Sequence, residues 1–443
     1  MTQSCSAILS NLSLRSGDYR PPKLESDALD IAIVSKIVRD LFRIDDVAYT
    51  NSKIVTFACD NDRSFLYNGT YYSPLIDTLE DDLRRHGIEC QSIARLSSNI
   101  KGSNSYGNVA SPDGGFARAL LQKRLKKLIT PQGRYPYSKW EERVWDAILE
   151  QTGAEKIVGI LPSRELCNAC HRRGIWVADI QHGVISETHP WYGQALRSGE
   201  PAEWAPDAFL CWDQESANVI DAWAKAKGSE TIVAGNRWLS RFIRCAPDDT
   251  LVNSIITDNK EQLKALSGKP TILVSLSWGC SDLPNGFMAD GLRDAICETS
   301  SDFNWLLRLH PNQLIGFASG ESVKFFDFFE KHLSGHAAWQ WASNAPLPVV
   351  LDAAGLHISW NSSVAIEASL MGIKSALLDP QLRSHGRSDY YANYQAAGFI
   401  DLVCAEAHEI IRWLDRHQNA LATPESFIEY DRRYDGFLKR LVS

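Results

Sequence analysis

Apolar, β-branched runs punctuate the second half of this sequence at near-regular intervals, and stretches of helical period lie between them. "KPTILVSLSW" (269–278) follows a Gly-Lys-Pro breaker and is apolar at nearly every position, the pattern of a strand covered on both faces. "GFMADGLRDAICET" (286–299) then predicts a helix, "FNWLLRLHP" (303–311) a strand and "VKFFDFFEKHL" (323–333) a helix. "LPVVLDAAGLHISW" (347–360) predicts a short helix and another strand. "SSVAIEASLMG" (362–372) is a helix closed by Gly372, and "IKSALLD" (373–379) is a strand. Strands alternating with helices at this spacing mean a parallel sheet wrapped on both faces.

The first half follows the same plan less regularly. "KIVTFACD" (53–60), "IECQSIA" (88–94), "EKIVGILP" (155–162), "IWVADIQHG" (175–183), "DAFLCWD" (207–213) and "ETIVAGN" (230–236) predict strands. "SPLIDTLEDDLRRHG" (73–87) and "RELCNACHRRG" (164–174) predict helices, and a polar helical stretch covers about 246–268. Dense in Ser, Gly and Asn, the segment 95–115 predicts a mobile loop. The expected fold class is α/β, with two facing Rossmann-like domains, 1–245 and 246–443, an interdomain cleft, and terminal helices that pack back on the N-terminal domain.

At 443 residues the chain exceeds one ordinary core, in keeping with two domains. A net charge of −8 argues against a general nucleic-acid binder. No apolar run approaches the roughly 18 residues of a membrane span. The N-terminus lacks the pattern of a signal peptide, so the expected location is the cytoplasm, where the ten cysteines stay reduced. Cys167-Asn-Ala-Cys170-His171 matches a haem-attachment spacing, but without export, or a second ligand pair for zinc, it reads as two buried thiols on a helix. No cofactor and no metal cluster is expected.

Ligands of open α/β sheets bind beyond the carboxyl ends of the strands. Arg308 and His310 end one strand, with Pro311 locking its exit. Ser362 and Ser363 begin the helix after the next strand, where unpaired amides and the helix dipole favour an anion, and Glu367 lies one turn on and on the same face. Together these five side chains and Pro311 form a candidate nucleotide-phosphate pocket. In the first half, Gln181-His182-Gly183 follows an apolar strand, and a neutral His182 is a candidate general base. Asp60, at the end of "TFACD", and Asp113, in "SPDGG", are the alternative bases. Trp191, Tyr192 and Trp204 are placed to stack on a sugar or to pack a hinge. "ARALLQKRLKKLITPQGR" (117–134) reads as a basic amphipathic helix, a candidate contact with anionic lipid or a lipid-diphosphate acceptor at the inner face of the membrane, or else a solvated face.

The Arg-x-His-Pro strand end, followed some fifty residues later by a double-serine helix start with Glu367 behind it, resembles bacterial surface-polysaccharide glycosyltransferases of the GT-B fold. The His-Pro and Ser-Ser pair is similar to the CMP site of bacterial sialyltransferases and capsule-type Kdo transferases. That resemblance implies His310 at the departing phosphate and the two serines cradling it. It also implies a CMP-activated acidic sugar as donor and a cell-surface glycan or lipid-linked acceptor. A His-Gly turn paired with His-Pro is similar, too, to polyol-phosphate transferases of teichoic-acid synthesis. The alternative expectations are therefore a CDP-glycerol-type transferase, a non-catalytic GT-B relative, or a sugar epimerase of the same fold. Capsule-type Kdo transferases carry a Glu-Asp-Gly turn where this chain has Gln181-His182-Gly183, a departure that argues against a covalent carboxylate mechanism there.

Overall fold

A computed structural model describes residues 38–443 apart from 64, 97, 108, 130–135, 188, 190, 267, 278–279, 311–312, 314–318, 385–390 and 419–426. The described chain divides into two compact units, 38–237 with 428–443, and 238–427. The division at 237/238 and the expected boundary at 245/246 differ by the helix Arg237–Arg244.

The first unit is built on a seven-stranded, all-parallel sheet in the order β5-β4-β1-β6-β7-β8-β9. Its strands are β1 (Ile54–Ala58), β4 (Cys90–Ala94), β5 (Val109–Ala110), β6 (Lys156–Gly159), β7 (Trp176–Ile180), β8 (Ala208–Cys211) and β9 (Glu230–Val233); β2 (Phe65–Tyr67) and β3 (Thr70–Tyr72) form a separate hairpin. Alternate residues serve opposite faces. Ile54, Ala58, Val158 and Ala178 pack with Leu79, Leu83 and the C-terminal Tyr434, Phe437, Leu438 and Leu441. Val55, Phe57, Ile157 and Val177 pack with Trp145, Leu149 and Leu166. Burial on both faces is the reason these strands read as unbroken apolar runs. Gly159 stands opposite Phe57 across β1 and β6, and a Cβ at Gly159 would lie 2.3 Å from the Phe57 ring. The small residue is what lets the ring lie flat there.

The second unit holds a five-stranded parallel sheet, β11-β10-β12-β13-β14, from β10 (Thr271–Ser275), β11 (Asn304–Arg308), β12 (Leu356–Ser359), β13 (Lys374–Leu377) and β14 (Ile400–Leu402). Ile272, Val274, Trp305, Leu307 and Ile358 pack on one face with Leu292, Ile296, Phe325 and Trp413. His357 is buried within this sheet: its Nδ1 is 3.0 Å from Ser375 Oγ on β13 and its Nε2 3.0 Å from Ser275 Oγ on β10.

The stretch 95–115 is not one loop. Val109–Ala110 pairs with β4 as the sheet edge, Gly102–Asn104 is a 3₁₀ turn, and Asp113 already belongs to the helix Asp113–Lys127. Its serines and asparagines are spent on local backbone: Ser105 Oγ donates to the Gly102 and Gly107 carbonyls, and Asn104 Oδ1 accepts from the Lys101 amide. Turn-forming residues hold a chain in place as readily as they release it.

Candidate functional site

In each sheet the strand order reverses once. In the first unit the chain runs from β1 outward through β4 and β5, then crosses to β6, so the switch point lies between β1 and β6. In the second it runs from β10 to β11 and crosses to β12, so the switch lies between β10 and β12. Connections that leave in opposite directions open a crevice beyond the carboxyl ends of the two strands.

At the second unit's switch point, β12 ends at Ser359 and the helix Val364–Leu370 begins five residues later. Asn361 Nδ2 donates to Asp379 Oδ2 at 2.7 Å, and Tyr391 Oη donates to the Asn361 carbonyl at 3.0 Å, fixing the turn. Ser362 Oγ accepts from the Val364 amide at 3.3 Å. Ser363 is the N-cap without a capping bond, and its hydroxyl and amide take no partner among the described residues. A half-buried Glu367 follows one turn later. Desolvation pushes its pKa up to about 7 against the lowering pull of Arg308, and its carboxylate accepts no hydrogen bond from a described residue.

Arg308 ends β11 on the other side of β10. Its Nη1 donates to the carbonyls of Ala342 and Ala345, the latter at 2.8 Å, at the end of the helix Gln340–Asn344. Its Nε and Nη2 bond to no described residue, so half of the guanidinium is anchored and half is open. Desolvation lowers its pKa to about 10, and Glu367 opposes that shift, so it stays a cation at neutral pH. His310 is exposed, with its amide bonded to Gln313 Oε1 at 2.8 Å. Desolvation first, and the Arg308 cation second, lower its pKa to about 4. With the ring open to solvent, the neighbouring cation is the firmer cause, and both act in the same direction. The structure therefore brings Arg308 and Glu367 into electrostatic contact and sets His310 two residues beyond Arg308. Pro311 lies outside the described residues.

At the first unit's switch point, the turn after β1 is the 3₁₀ segment Asp60–Asp62. Asp62 Oδ2 accepts the Cys59 amide at 2.9 Å, and the carboxyl group interacts with His182 at the end of β7. Desolvation raises the Asp62 pKa and lowers that of His182; mutual attraction opposes both shifts without cancelling them. His182 is thus neutral at pH 7, with Nδ1 3.5 Å from Tyr192 Oη. Between them, β6 exits through Leu161 at φ 54°, a conformation costly for a branched side chain. Buried Asp179 holds that turn by accepting the Leu161 amide at 2.9 Å, and Arg95 donates to the Leu161 carbonyl. Desolvation pushes the Asp179 pKa up to about 7.

Several expected contacts are committed elsewhere. Gln181 is buried: its amide nitrogen donates to Gly183 O at 2.8 Å and Ser216 Oγ at 3.0 Å, and its oxygen accepts the Trp212 amide at 2.7 Å. It builds the turn, and both of its amide hydrogens are already donated within the protein. Gly183 does not have positive φ, and a Cβ there would meet nothing within 4 Å, so the position is open but needs no glycine. Trp191 has two guanidinium groups over its ring, Arg164 at 5.0 Å and Arg197 at 4.8 Å from the centroid, and its indole donates to Asp179 at 3.3 Å. Tyr192 is 1% exposed and belongs to the core. Tyr192 therefore offers no face to a sugar, and Trp191 is engaged by two cations and a carboxylate. Trp204 stacks on Tyr137 at 5.1 Å.

Asp60 accepts Ser98 Oγ and, at 2.8 Å, the Asn99 amide, so it ties down the following loop. Asp113, 1% exposed, receives Arg43 at 3.1 Å, Lys101, the Ser98 amide at 2.9 Å and Ser111 Oγ at 2.5 Å. Four donors fill the lone-pair directions of one carboxylate, leaving none to take a proton from a substrate. Asp62 was not singled out by the sequence. The signal for it is its place after an apolar strand, shared with Asp60 two residues earlier. Cys167 and Cys170 are buried thiols whose pKa values burial pushes up. Among the described residues no group of three or more His, Cys, Asp or Glu side chains is arranged to hold a metal ion.

No protein-family model matches the sequence, and no curated protein matches it. Solved structures do. The UDP-GlcNAc 2-epimerase from Neisseria meningitidis bound to UDP-GlcNAc is similar at 13% identity and a TM-score of 0.55, over 88% of this chain and 99% of that one. The UDP-GlcNAc 2-epimerase from Methanocaldococcus jannaschii is similar at 11% identity and 0.53, over 88% and 98%. The wall teichoic acid polymerase TagF, soaked with CDPG, is similar at 13% identity and 0.51, over 93% and 90%. At such identities the likeness is one of fold. The chain has the GT-B fold, with two Rossmann-like domains.

Proposed function

We propose that this chain is a nucleotide-dependent transferase whose second unit binds the donor at the β10/β12 switch point and whose His182 is the general base. The carrying observation is the helix start at Ser363: an amide and a hydroxyl without partners, a second hydroxyl at Ser362, an open half of Arg308, and an accessible carboxylate at Glu367. The donors suit a phosphate, and the carboxylate suits ribose hydroxyls. Charge developing on the leaving phosphate is met by Arg308, the two serines and the helix N-terminus, groups already oriented before the reaction. His310 is neutral at pH 7 and donates one N–H to the same oxygens. His182, also neutral, accepts the proton of the acceptor hydroxyl, and Asp62 stabilises the imidazolium that forms.

For the donor we infer a cytidine nucleotide. The Arg308-x-His310 and Ser362-Ser363 pattern favours a CMP-activated acidic sugar, Kdo-like or sialic-acid-like, passed to a cell-surface glycan or lipid-linked acceptor. A second reading, transfer of a polyol phosphate from a CDP donor, is favoured by the fold likeness to TagF soaked with CDPG. Calorimetric titration of the full chain with CMP, CDP and UDP tests the choice. CMP binding strongest supports the first reading, and CDP strongest the second. UDP strongest overturns both and points to the chemistry of the epimerases.

A further inference from the structure

The helix Asp113–Lys127 is turned the wrong way round for a protein surfaced by water. Inward it sends Phe116, Ala119 and a lysine: Lys123 is buried, with its ammonium 2.5 Å from Glu141 and 3.0 Å from Glu165. Outward it sends Leu121, Leu125, Leu128 and Ile129, spaced i, i+4, i+7, i+8 and so on one face. Leu128 and Ile129 are 83% and 84% exposed. Of the basic residues expected to define this surface, Lys126 donates to the Tyr137 carbonyl and Arg118 to the carbonyls of Leu41 and Arg43. That last contact brackets Phe42 and sets it, with Ile44, beside the same helix; these two are 84% and 89% exposed. The rest of the expected stretch, 130–134, lies outside the described residues.

Around this apolar face stand three cations, Arg124, Lys127 and Arg143, each exposed and each without a hydrogen bond or ion pair to any described residue. Trp140, 39% exposed, adjoins them, its amide bonded to Gln122 Oε1 at 3.3 Å beside Leu121. A cavity of about 430 Å³ opens here, lined by Arg118, Trp140, Arg143 and Tyr49 among others. The acid lining the cavity is Asp45, taken up by the Gly114 and Gly115 amides. Unpaired cations ringing exposed leucines and a tryptophan, next to a cavity of headgroup size, complement an anionic lipid surface.

We propose that this face docks the protein on an anionic bilayer, with the leucines, Phe42 and Ile44 entering the acyl boundary and Arg124, Lys127 and Arg143 meeting lipid phosphates. The inference goes beyond the transferase reading and does not rest on it. The test is sedimentation of the full chain with vesicles of phosphatidylcholine alone or mixed equally with phosphatidylglycerol. Binding is expected only to the mixed vesicles, weakened by salt, and reduced at least about tenfold in Leu125→Glu/Leu128→Glu. Arg124→Glu/Arg143→Glu should lose the preference for the anionic lipid. Both pairs are exposed, and unchanged thermal unfolding and nucleotide titration confirm that the variants fold. The proposal is overturned if the wild type ignores the mixed vesicles or if the leucine variant binds them equally. It is also overturned if the wild type is a dimer that the leucine variant dissociates without any change in vesicle binding, which gives the face to a second copy.

Discussion

Asp62 and His182, at the carboxyl ends of β1 and β7, hold each other partway to the charged state: the carboxylate raises the imidazole's proton affinity, the imidazole lowers the carboxyl's, and desolvation outweighs both. A histidine so placed is unprotonated at neutral pH, and Asp62 is the neighbour whose attraction favours the imidazolium. Replacing His182 by Ala should lower turnover by roughly 10²–10⁴ with little change in nucleotide affinity. A variant with near-normal turnover would remove His182 from the chemistry.

Asp62→Asn removes the one influence that raises the His182 pKa. The pKa should fall further, and the acidic limb of kcat/KM, already below the ordinary histidine value of about 6.5, should move to lower pH while kcat falls. The pH–rate profile of this variant reads both effects. A limb that stays in place means the two groups do not interact.

Glu367, assigned to the donor in the proposed reading, carries a cost in stability. Its pKa in the folded chain is raised to about 7 from the usual 4.5, so the folded state keeps a proton that the unfolded state gives up first. Stability from this group is therefore present below pH 4.5 and lost as pH rises to about 7. Glu367→Gln should raise the stability at pH 8 by up to roughly 3 kcal/mol, less in proportion to the solvent that reaches the group, and change nothing at pH 4. Nucleotide affinity should fall in the same variant. Urea unfolding at the two pH values, with a titration alongside, measures the trade.

His357 titrates with the opposite sign. Burial lowers its pKa to about 3, so the unfolded chain binds its proton first, and stability falls as pH drops below about 6.5 toward 3. His357→Gln, which cannot ionise, should flatten that part of the acid-unfolding curve. An unchanged slope would mean that other groups govern it.

The first unit also buries an ion pair, Arg63 Nη1 to Asp77 Oδ1 at 2.5 Å, with both side chains fully enclosed. Arg63→Met should destabilise the protein by about 3–5 kcal/mol because a buried Asp77, whose pKa desolvation already raises, loses its cation and keeps only the Ser73 amide. Replacing Asp77 by Leu as well should recover much of that loss. A single variant as stable as the parent in chemical denaturation would contradict the enclosure.

Strand positions were legible because both faces of each sheet are covered: "KPTILVSLSW" contains Thr271–Ser275 and "LHISW" contains Leu356–Ser359. Strand-end residues such as Arg308, His310 and His182 followed directly, since an open parallel sheet has only one end for ligands. What the sequence could not resolve was the direction of side chains within turns. Asp60 and Asp62 sit two apart in "CDND", and only the 3₁₀ geometry sends one to Ser98 and the other toward His182. For Trp191 the sequence leaves sugar stacking and hinge packing open, because Arg164 and Arg197, whose guanidinium groups lie over its ring, stand at a distance in sequence or in an irregular segment. In the basic helix the same limit applies to one residue: Lys123 turns inward to Glu141 and Glu165, carboxylates on two later helices.

Calorimetric titration of CMP into the wild type, Ser362→Ala/Ser363→Ala and His182→Ala is the most direct test of where the donor binds. Two lost donors to a charged acceptor, each worth about 1.5–3 kcal/mol, should weaken CMP by tenfold or more in the serine variant and leave the histidine variant unchanged. CMP affinity that is the same in the serine variant and the wild type, with both proteins folded, would place the nucleotide somewhere other than the β10/β12 switch point.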